Sequence, residues 1–424
     1  MKFTAALTAF SAAGVIAEIS ASNTTRDVNP FAGKNYFANS FYAAELNQTV
    51  NAFLAKNDTL NAARARTVQK TGTFVWVTSV SGLSIINTTI AEARAEQRKT
   101  RKRQIVELVL YNLPDRDCSA GQSAGEFSSI NDGLALYKKK FVDPYAALLK
   151  NARDLSFAVI LEPDSLGNVI TNQNVPFCAN ATPVYEAGIA YAIAKLQASN
   201  IALYLDAAHG GWLGWDGNLP LEFAKVIALA ANATNATVPY RSGNSTRPLN
   251  GTRPLNYTRP APSIRGFATD VSNYNPYIAN PRANYTQWSN SYDELHYAES
   301  LAPFLTNLSL PAHFIIDQGR SGLQNTRGSW GDWCNVEAGF GIRPTTQTNS
   351  SLVDSIVWAK PGGESDGACG VTVSGEVAPN AGTWWEAYTE MLVKNADPPL
   401  PPTYVGNGTV VKRNARRSLS RLLL

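Results

Sequence analysis

Apolar residues along this chain fall into short unbroken runs, separated by longer stretches in which they recur every three or four positions. Six runs are continuous and rich in β-branched or aromatic residues: 73–78 (TFVWVT), 105–111 (IVELVLY), 157–162 (FAVILE), 201–206 (IALYLD), 313–317 (HFIID) and 355–360 (SIVWAK). A weaker run covers 264–271. Continuous apolar runs of this length predict strands buried on both faces, as in a parallel sheet. The Ala-rich stretches between them, at 128–151, 182–198, 219–233 and 291–306, have helical spacing. Strand and helix alternate, so the pattern predicts an α/β fold whose parallel sheet is covered or closed by helices.

Polar residues recur where these runs end: Asp117, Asp164, Asp206, Asp317 with Arg320, and Lys360. One Asp after a strand is ordinarily a turn or helix cap. Five polar ends in one chain point instead to a site, because parallel α/β folds build sites at the C-terminal ends of their strands. The segment VILEPDSLGN is the densest case, with Glu162, Pro163 and Asp164 at the mouth of the most apolar strand.

Charge argues against a nucleic-acid partner. The net charge is +4, but Lys412, Arg413, Arg416, Arg417 and Arg421 crowd the C-terminal end, and the rest is close to neutral. Residues 1–17 read as a secretory signal peptide, one Lys before a short apolar run and small residues, and 18–28 as a short lead. No later apolar stretch approaches the roughly 20 residues of a membrane span. Fourteen N-x-S/T sequons fit secretion, six of them at Asn232–Asn256 and Asn284. Residues 241–262 repeat T-R-P-L-N without apolar periodicity and predict a glycosylated loop insertion. The end, 399–424, is Pro-rich and then basic, and predicts disorder. Four cysteines suit two disulfides in an oxidising compartment. With three His and no close CxxC spacing, neither a metal nor another cofactor is expected.

Four segments carry chemistry together: YNLPDRDC with Tyr111, Asp115, Arg116, Asp117 and Cys118; ILEPDSLGN with Glu162 and Asp164; YLDAAHGGWLGW with Asp206, His209, Trp212 and Trp215; and DQGRSG…WGDWCN…GFGIRP…WAKPGGESDG with Arg320, Trp333, Lys360, Glu364 and Asp366. In this order they resemble glycoside hydrolase family 6, a family of cellulases, from about residue 29 to about 395, and the catalytic domain is expected to span 29–398. The resemblance implies a distorted, seven-stranded parallel β/α barrel in a single catalytic domain. It implies hydrolysis of β-1,4-glucan with inversion, which needs an acid for the leaving oxygen and room for a water on the opposite face.

By that resemblance Asp164 matches the general acid, and Asp117 the neighbouring carboxylate that supports the transition state. Tyr111 matches a tyrosine that crowds the sugar, and Ser123 a residue that holds the water chain. Asp366 matches the candidate base, although a structural ion pair with Arg320 near Lys360 is the competing reading. Asp206 is expected to position rather than to act as a second acid. Trp76, Trp212, Trp215 and Trp333 match sugar-stacking platforms, because sugar C–H faces stack on indoles. Asn273, Asn275, Lys360, Glu364 and His209 are candidate hydroxyl partners. The resemblance also pairs Cys118 with Cys178 and Cys334 with Cys369.

Two departures bear on mode of attack. Only Ala368 separates Gly367 from Cys369, where cellobiohydrolases of the family carry a long roof loop, and Ser365 stands where many fungal members have cysteine. The covering loop 119–127 is full length. The expectation is therefore a secreted, monomeric, endo-acting β-1,4-glucanase. Its alternatives are a cellobiohydrolase and, more remotely, a non-catalytic glucan-binding protein.

Overall fold

The computed structural model describes residues 28–215, 217, 221–235 and 263–405. The expected leader, the expected loop insertion at 241–262 and the basic residues of the C-terminal end lie outside the described residues.

Seven parallel strands follow one another around the sheet in chain order: β2 (Val75–Val77), β3 (Gln104–Leu110), β4 (Ser156–Leu161), β5 (Ile201–Asp206), β6 (Gly266–Thr269), β7 (Phe314–Asp317) and β8 (Val353–Val357). The two-residue β1 (Asn35–Tyr36) pairs with the start of β3, on the edge that β2 takes further along. Each expected run overlaps one of these strands, although the 355–360 run starts two residues inside β8 and extends past its end. The sheet curls into an incomplete barrel. Among the described residues no strand ladder joins β8 to β2, and the seam is held where Phe74 N–H and Thr73 Oγ1 both donate to Trp358 C=O, at 3.1 and 2.9 Å.

Alternation along the strands sets two cores. Phe74, Ile105, Val109, Ile160, Tyr204, Ile315 and Val357 fill the barrel interior. Val106, Leu108, Val159, Leu161, Leu203, Leu205 and Ile316 face outward against the helices. The Ala-rich stretches form a helix ending at Asn151 (Asp143–Asn151, entered through a π turn at Tyr137–Val142), and the helices Pro176–Lys195, Leu221–Asn235 and Glu294–Asn307. Helices α1 (Ser40–Ala55), α2 (Thr59–Val68) and α3 (Leu83–Thr100) were not read from the pattern. The first two are started by side-chain caps: Asn39 accepts from Tyr42 N–H at 2.9 Å and Asp58 from Asn61 N–H at 3.0 Å. They pack with Glu386–Lys394 into a third apolar cluster around Phe53, Trp358 and Tyr388. No described helix is long and apolar enough to cross a membrane.

Candidate active site

Backbone strain gathers where the strands end. Asp117, Glu162, Asp164, Ala208, Asp270 and Ser272 all have positive φ, between 48° and 67°, just beyond β3, β4, β5 and β6. Non-glycine residues hold this left-handed conformation at a cost, and such strain concentrates at functional sites. A cleft of about 780 Å³ opens there. Tyr111, Asp117, Ser123, Asp164, His209, Asn273, Lys360, Glu364 and Asp366 line it with Trp76, Trp212 and Trp333. Asp206, Asn275 and Arg320 are buried behind its wall, and Trp215 stands outside the lining.

The two carboxylates after β4 divide their work. Glu162 turns inward, where it accepts Asn112 N–H at 3.1 Å, Leu113 N–H at 3.2 Å and Tyr137 Oη–H at 2.8 Å. It thus ties the segment after Tyr111 to the end of β4. Burial pushes its carboxyl up to about 7, against the opposing pull of those hydrogen bonds. Asp164, after the rigid Pro163, faces the cleft half-buried. Among the described residues no hydrogen bond reaches its carboxyl oxygens, while its backbone N–H donates to Asp206 Oδ2 at 2.9 Å. Burial, then the carboxylates of Asp206, Asp117 and Asp366, hold the Asp164 carboxyl well above the usual range. Like charges converging on a poorly solvated acid keep it protonated. Asp206, 2% exposed, also accepts Ala208 N–H, and burial raises it to about 7.

Asp117, Ser123 and Tyr111 form a directional chain. Ser123 donates through N–H and Oγ–H to Asp117 Oδ2 at 2.7 and 3.1 Å, and its Oγ lies 2.9 Å from Tyr111 Oη. A carboxylate only accepts, so Ser123 donates to Asp117 and its oxygen receives the tyrosine proton. The Arg116 guanidinium sits 4.3 Å above the Tyr111 ring and donates to Thr78 C=O, Ser123 C=O and Tyr111 C=O. Sequence reasoning gave Arg116 no role.

On the opposite wall both oxygens of Asp366 are occupied. Oδ1 accepts from Arg320 at 2.7 Å, and Oδ2 from Tyr274 Oη–H at 2.5 Å and Asn335 N–H at 2.9 Å. Arg320, 1% exposed, also stacks 4.2 Å over the Tyr274 ring. Lys360 Nζ lies 3.6 Å from Glu364 Oε2 and 5.7 Å from the Trp76 ring. Burial raises the Glu364 carboxyl although Lys360 opposes the shift.

Among the aromatics, Trp76 meets Tyr111 edge-on at 5.3 Å, and Trp212 is fixed by Nε1–H to Thr171 Oγ1 at 2.7 Å. Gly167 lets that indole approach, for a Cβ there would lie 3.1 Å from it. Trp330, in the same WGDW segment as Trp333, also lines the cleft and was missed. It packs against Tyr285 at 5.3 Å and His209 at 6.3 Å. The signal was its neighbour, two tryptophans three residues apart around a glycine. Burial and the Arg327 charge push the His209 imidazole down to about 3, so it is neutral.

The disulfides join Cys118 to Cys178 and Cys334 to Cys369, the pairs expected from the resemblance. The first clamps the loop after β3 to the start of helix Pro176–Lys195. The second ties the loops that follow β7 and β8. Loop 119–127 reaches the short roof, with the Gln122 side chain against Gly367.

The sequence matches the profile of the glycosyl hydrolases family 6 over residues 31–241 and 251–396. The chain belongs to that family. It is therefore a glycoside hydrolase, on the parallel half-barrel that its relatives share. A 1,4-beta-D-glucan cellobiohydrolase, CEL6B of Podospora anserina, is 53% identical over 374 residues, which cover 87% of this chain and 83% of that protein. Endoglucanase-6B of Humicola insolens is 46% identical over 370 residues, 87% of this chain and 97% of that one. The solved structure of endoglucanase CEL6B from Humicola insolens superposes with a TM-score of 0.77, covering 87% of this chain and 99% of that one. A family 6 enzyme of Coprinopsis cinerea superposes with a TM-score of 0.80 at 44% identity, covering 89% and 100%.

Proposed function

We propose that this enzyme is a secreted, inverting β-1,4-glucanase that cuts cellulose chains internally, with Asp164 as its general acid. The observation that carries the reading is the Asp164 carboxyl, facing the cleft with no hydrogen bond from the described residues and pressed toward its protonated form by burial and three carboxylates. Such a group donates a proton to a leaving glycosidic oxygen and becomes a carboxylate.

Inversion requires a water on the opposite face of the sugar. Ser123 is placed to hold it, and the Ser123–Asp117 bond gives its proton a path toward Asp117. Asp117, as an anion, also supports positive charge building at the anomeric carbon. With three donors on its oxygens, Asp366 acts as a fixed counter-charge rather than as the base. Tyr111, braced by Trp76 and Arg116, crowds the sugar at the cleavage point. Trp76, Trp212 and Trp333 stack glucose rings, and Asn273, Lys360 and Glu364 meet hydroxyls. Two disulfides and the leader at 1–17 favour an extracellular enzyme.

Internal cutting is favoured by the short roof, where Ala368 alone separates Gly367 from Cys369. At Gly367 the covering loop meets the short roof through the Gln122 side chain, a flexible contact that can part to let a chain enter sideways. The relatives include both a cellobiohydrolase and endoglucanases, so chain-end release of cellobiose is the rival. Viscosity of carboxymethyl cellulose, followed with reducing ends, separates them. A steep fall in viscosity per bond broken supports internal cutting. Cellobiose as nearly the sole early product, with viscosity almost unchanged, overturns it.

A further inference from the structure

Behind the cleft wall lies a guanidinium that serves no ion pair. Arg327 is 9% exposed, and among the described residues its guanidinium makes no salt bridge, its charge reaching the buried Asp270 carboxyl only at longer range. Its fork is spent on two neutral amides: one amino group donates to Asn273 Oδ1 at 2.9 Å and the other to Asn275 Oδ1. A buried cation normally faces an anion, so this use of Arg needs a reason.

The reason lies in what the two amides do next. Asn273 Oδ1 also accepts Tyr274 N–H at 2.8 Å. Two donors converge on that atom, and a flipped amide would set its NH2 against both. Asn273 lines the cleft, so only its Nδ2 hydrogens remain for a ligand. Asn275 is fixed from both ends, its oxygen by Arg327 and its Nδ2 by Glu294 Oε1 at 2.6 Å. That same Nδ2 lies 3.3 Å from His209 Nδ1. Facing a donor, Nδ1 must accept, which places the proton of the neutral ring on Nε2.

We infer that Arg327 is a positioning residue that fixes Asn273 and, through Asn275, His209 so that both offer the cleft hydrogen-bond donors only, making this wall a subsite for the lone pairs of glucan hydroxyls. The inference rests on the β-1,4-glucanase reading for the identity of the ligand, but the side-chain orientations stand without it. A wall of fixed donors accepts a sugar oxygen in one orientation and leaves a ligand that is itself a donor there unpaired.

The test compares Arg327→Lys and Asn273→Asp with the wild-type enzyme on soluble β-1,4-glucan. Lys keeps the charge but cannot hold two amides as a planar fork does. Asp keeps a partner for Arg327, so the fold is supported, yet it presents an acceptor where the amide presented a donor. Both variants are expected to raise KM about tenfold, with kcat within about twofold, the loss of ground-state and transition-state binding together. A merely structural role would lower the active fraction and leave KM unchanged. Nitrogen-15 NMR of the imidazoles is expected to show His209 as the Nε2–H tautomer in the wild type and as a tautomer mixture in Arg327→Met. Unchanged KM in both variants, or His209 carrying its proton on Nδ1 in the wild type, overturns the inference. Absence of any wild-type turnover of β-1,4-glucan instead overturns the glucanase reading, and the NMR result still decides the tautomer.

Discussion

The backbone N–H of Asp164 donates to Asp206 Oδ2 at 2.9 Å, so the residue proposed as the acid is held by a second, buried carboxyl one strand away. The two do different work. Asp206 fixes the strained backbone of Asp164 at φ 67°, and its charge, second to burial, raises the Asp164 carboxyl. In Asp206→Ala both effects are lost. The Asp164 carboxyl then ionises at lower pH, and the alkaline limb of the kcat/KM profile, which falls as the acid loses its proton, moves toward acid. Activity at neutral pH is expected to fall several-fold. A pH profile of kcat/KM in wild type and variant checks this, and an alkaline limb that stays in place rules out Asp206 as a determinant of it.

Ser123 joins Tyr111 to Asp117, and its removal leaves both partners in the cleft without their link. In Ser123→Ala, kcat on β-1,4-glucan is expected to drop about 10- to 100-fold, less than or equal to the low end of a typical acid–base contribution. KM should change by less than about threefold. Steady-state kinetics on one soluble glucan decide it.

Stability is expected to fall as pH rises from mildly acid to alkaline. Glu162, Asp206 and Glu294 are buried, and burial raises each carboxyl to about 7 from an ordinary value near 4. Between those values the folded chain holds protons that the unfolded chain releases. Stability therefore decreases with pH across that window and is greatest below it, down to where other groups titrate. Melting temperature measured from pH 5 to pH 8 should decline. Glu162→Ala, which strips the acceptor from Asn112 N–H, Leu113 N–H and Tyr137, should cost about 1–3 kcal/mol, read by denaturant unfolding.

The strand runs were legible because a buried parallel strand is apolar on both faces, and each of the seven runs overlaps an observed strand. Helices α1 to α3 were not, for their buried positions mix Thr, Ala and Tyr with the aliphatic residues, and the starts of α1 and α2 depend on single capping side chains, Asn39 and Asp58. The two carboxylates after β4 could be seen together, but not which one turns inward. That is decided by the Asn112 and Leu113 N–H groups, 50 and 49 residues away in the chain. Arg327 and Trp330 were invisible as site residues because their roles depend on neighbours brought together by folding, Asn273 and Asn275 for one and His209 for the other. Trp215 was read with Trp212 from the same motif, yet only Trp212 lines the cleft.

The Cys334–Cys369 bridge closes a loop of 35 residues that carries β8 and Asp366. Replacing both cysteines by serine is expected to lower stability by about 2–4 kcal/mol. It should also reduce kcat, because Asn335, next to Cys334, donates to Asp366 and accepts from it. Thermal unfolding and activity of the double variant, with the Cys118–Cys178 bridge intact, test both.

The central claim is that Asp164 protonates the leaving oxygen, and a leaving group that needs no proton isolates that step. Asp164→Asn should be compared with wild type on cellulose and on a dinitrophenyl β-cellobioside, whose phenolate departs unaided. The expected result is a loss of about 10²- to 10⁴-fold on cellulose with a far smaller loss on the activated glycoside. Equal losses on the two substrates in a folded variant, or cellulose turnover close to wild type, would contradict Asp164 as the acid.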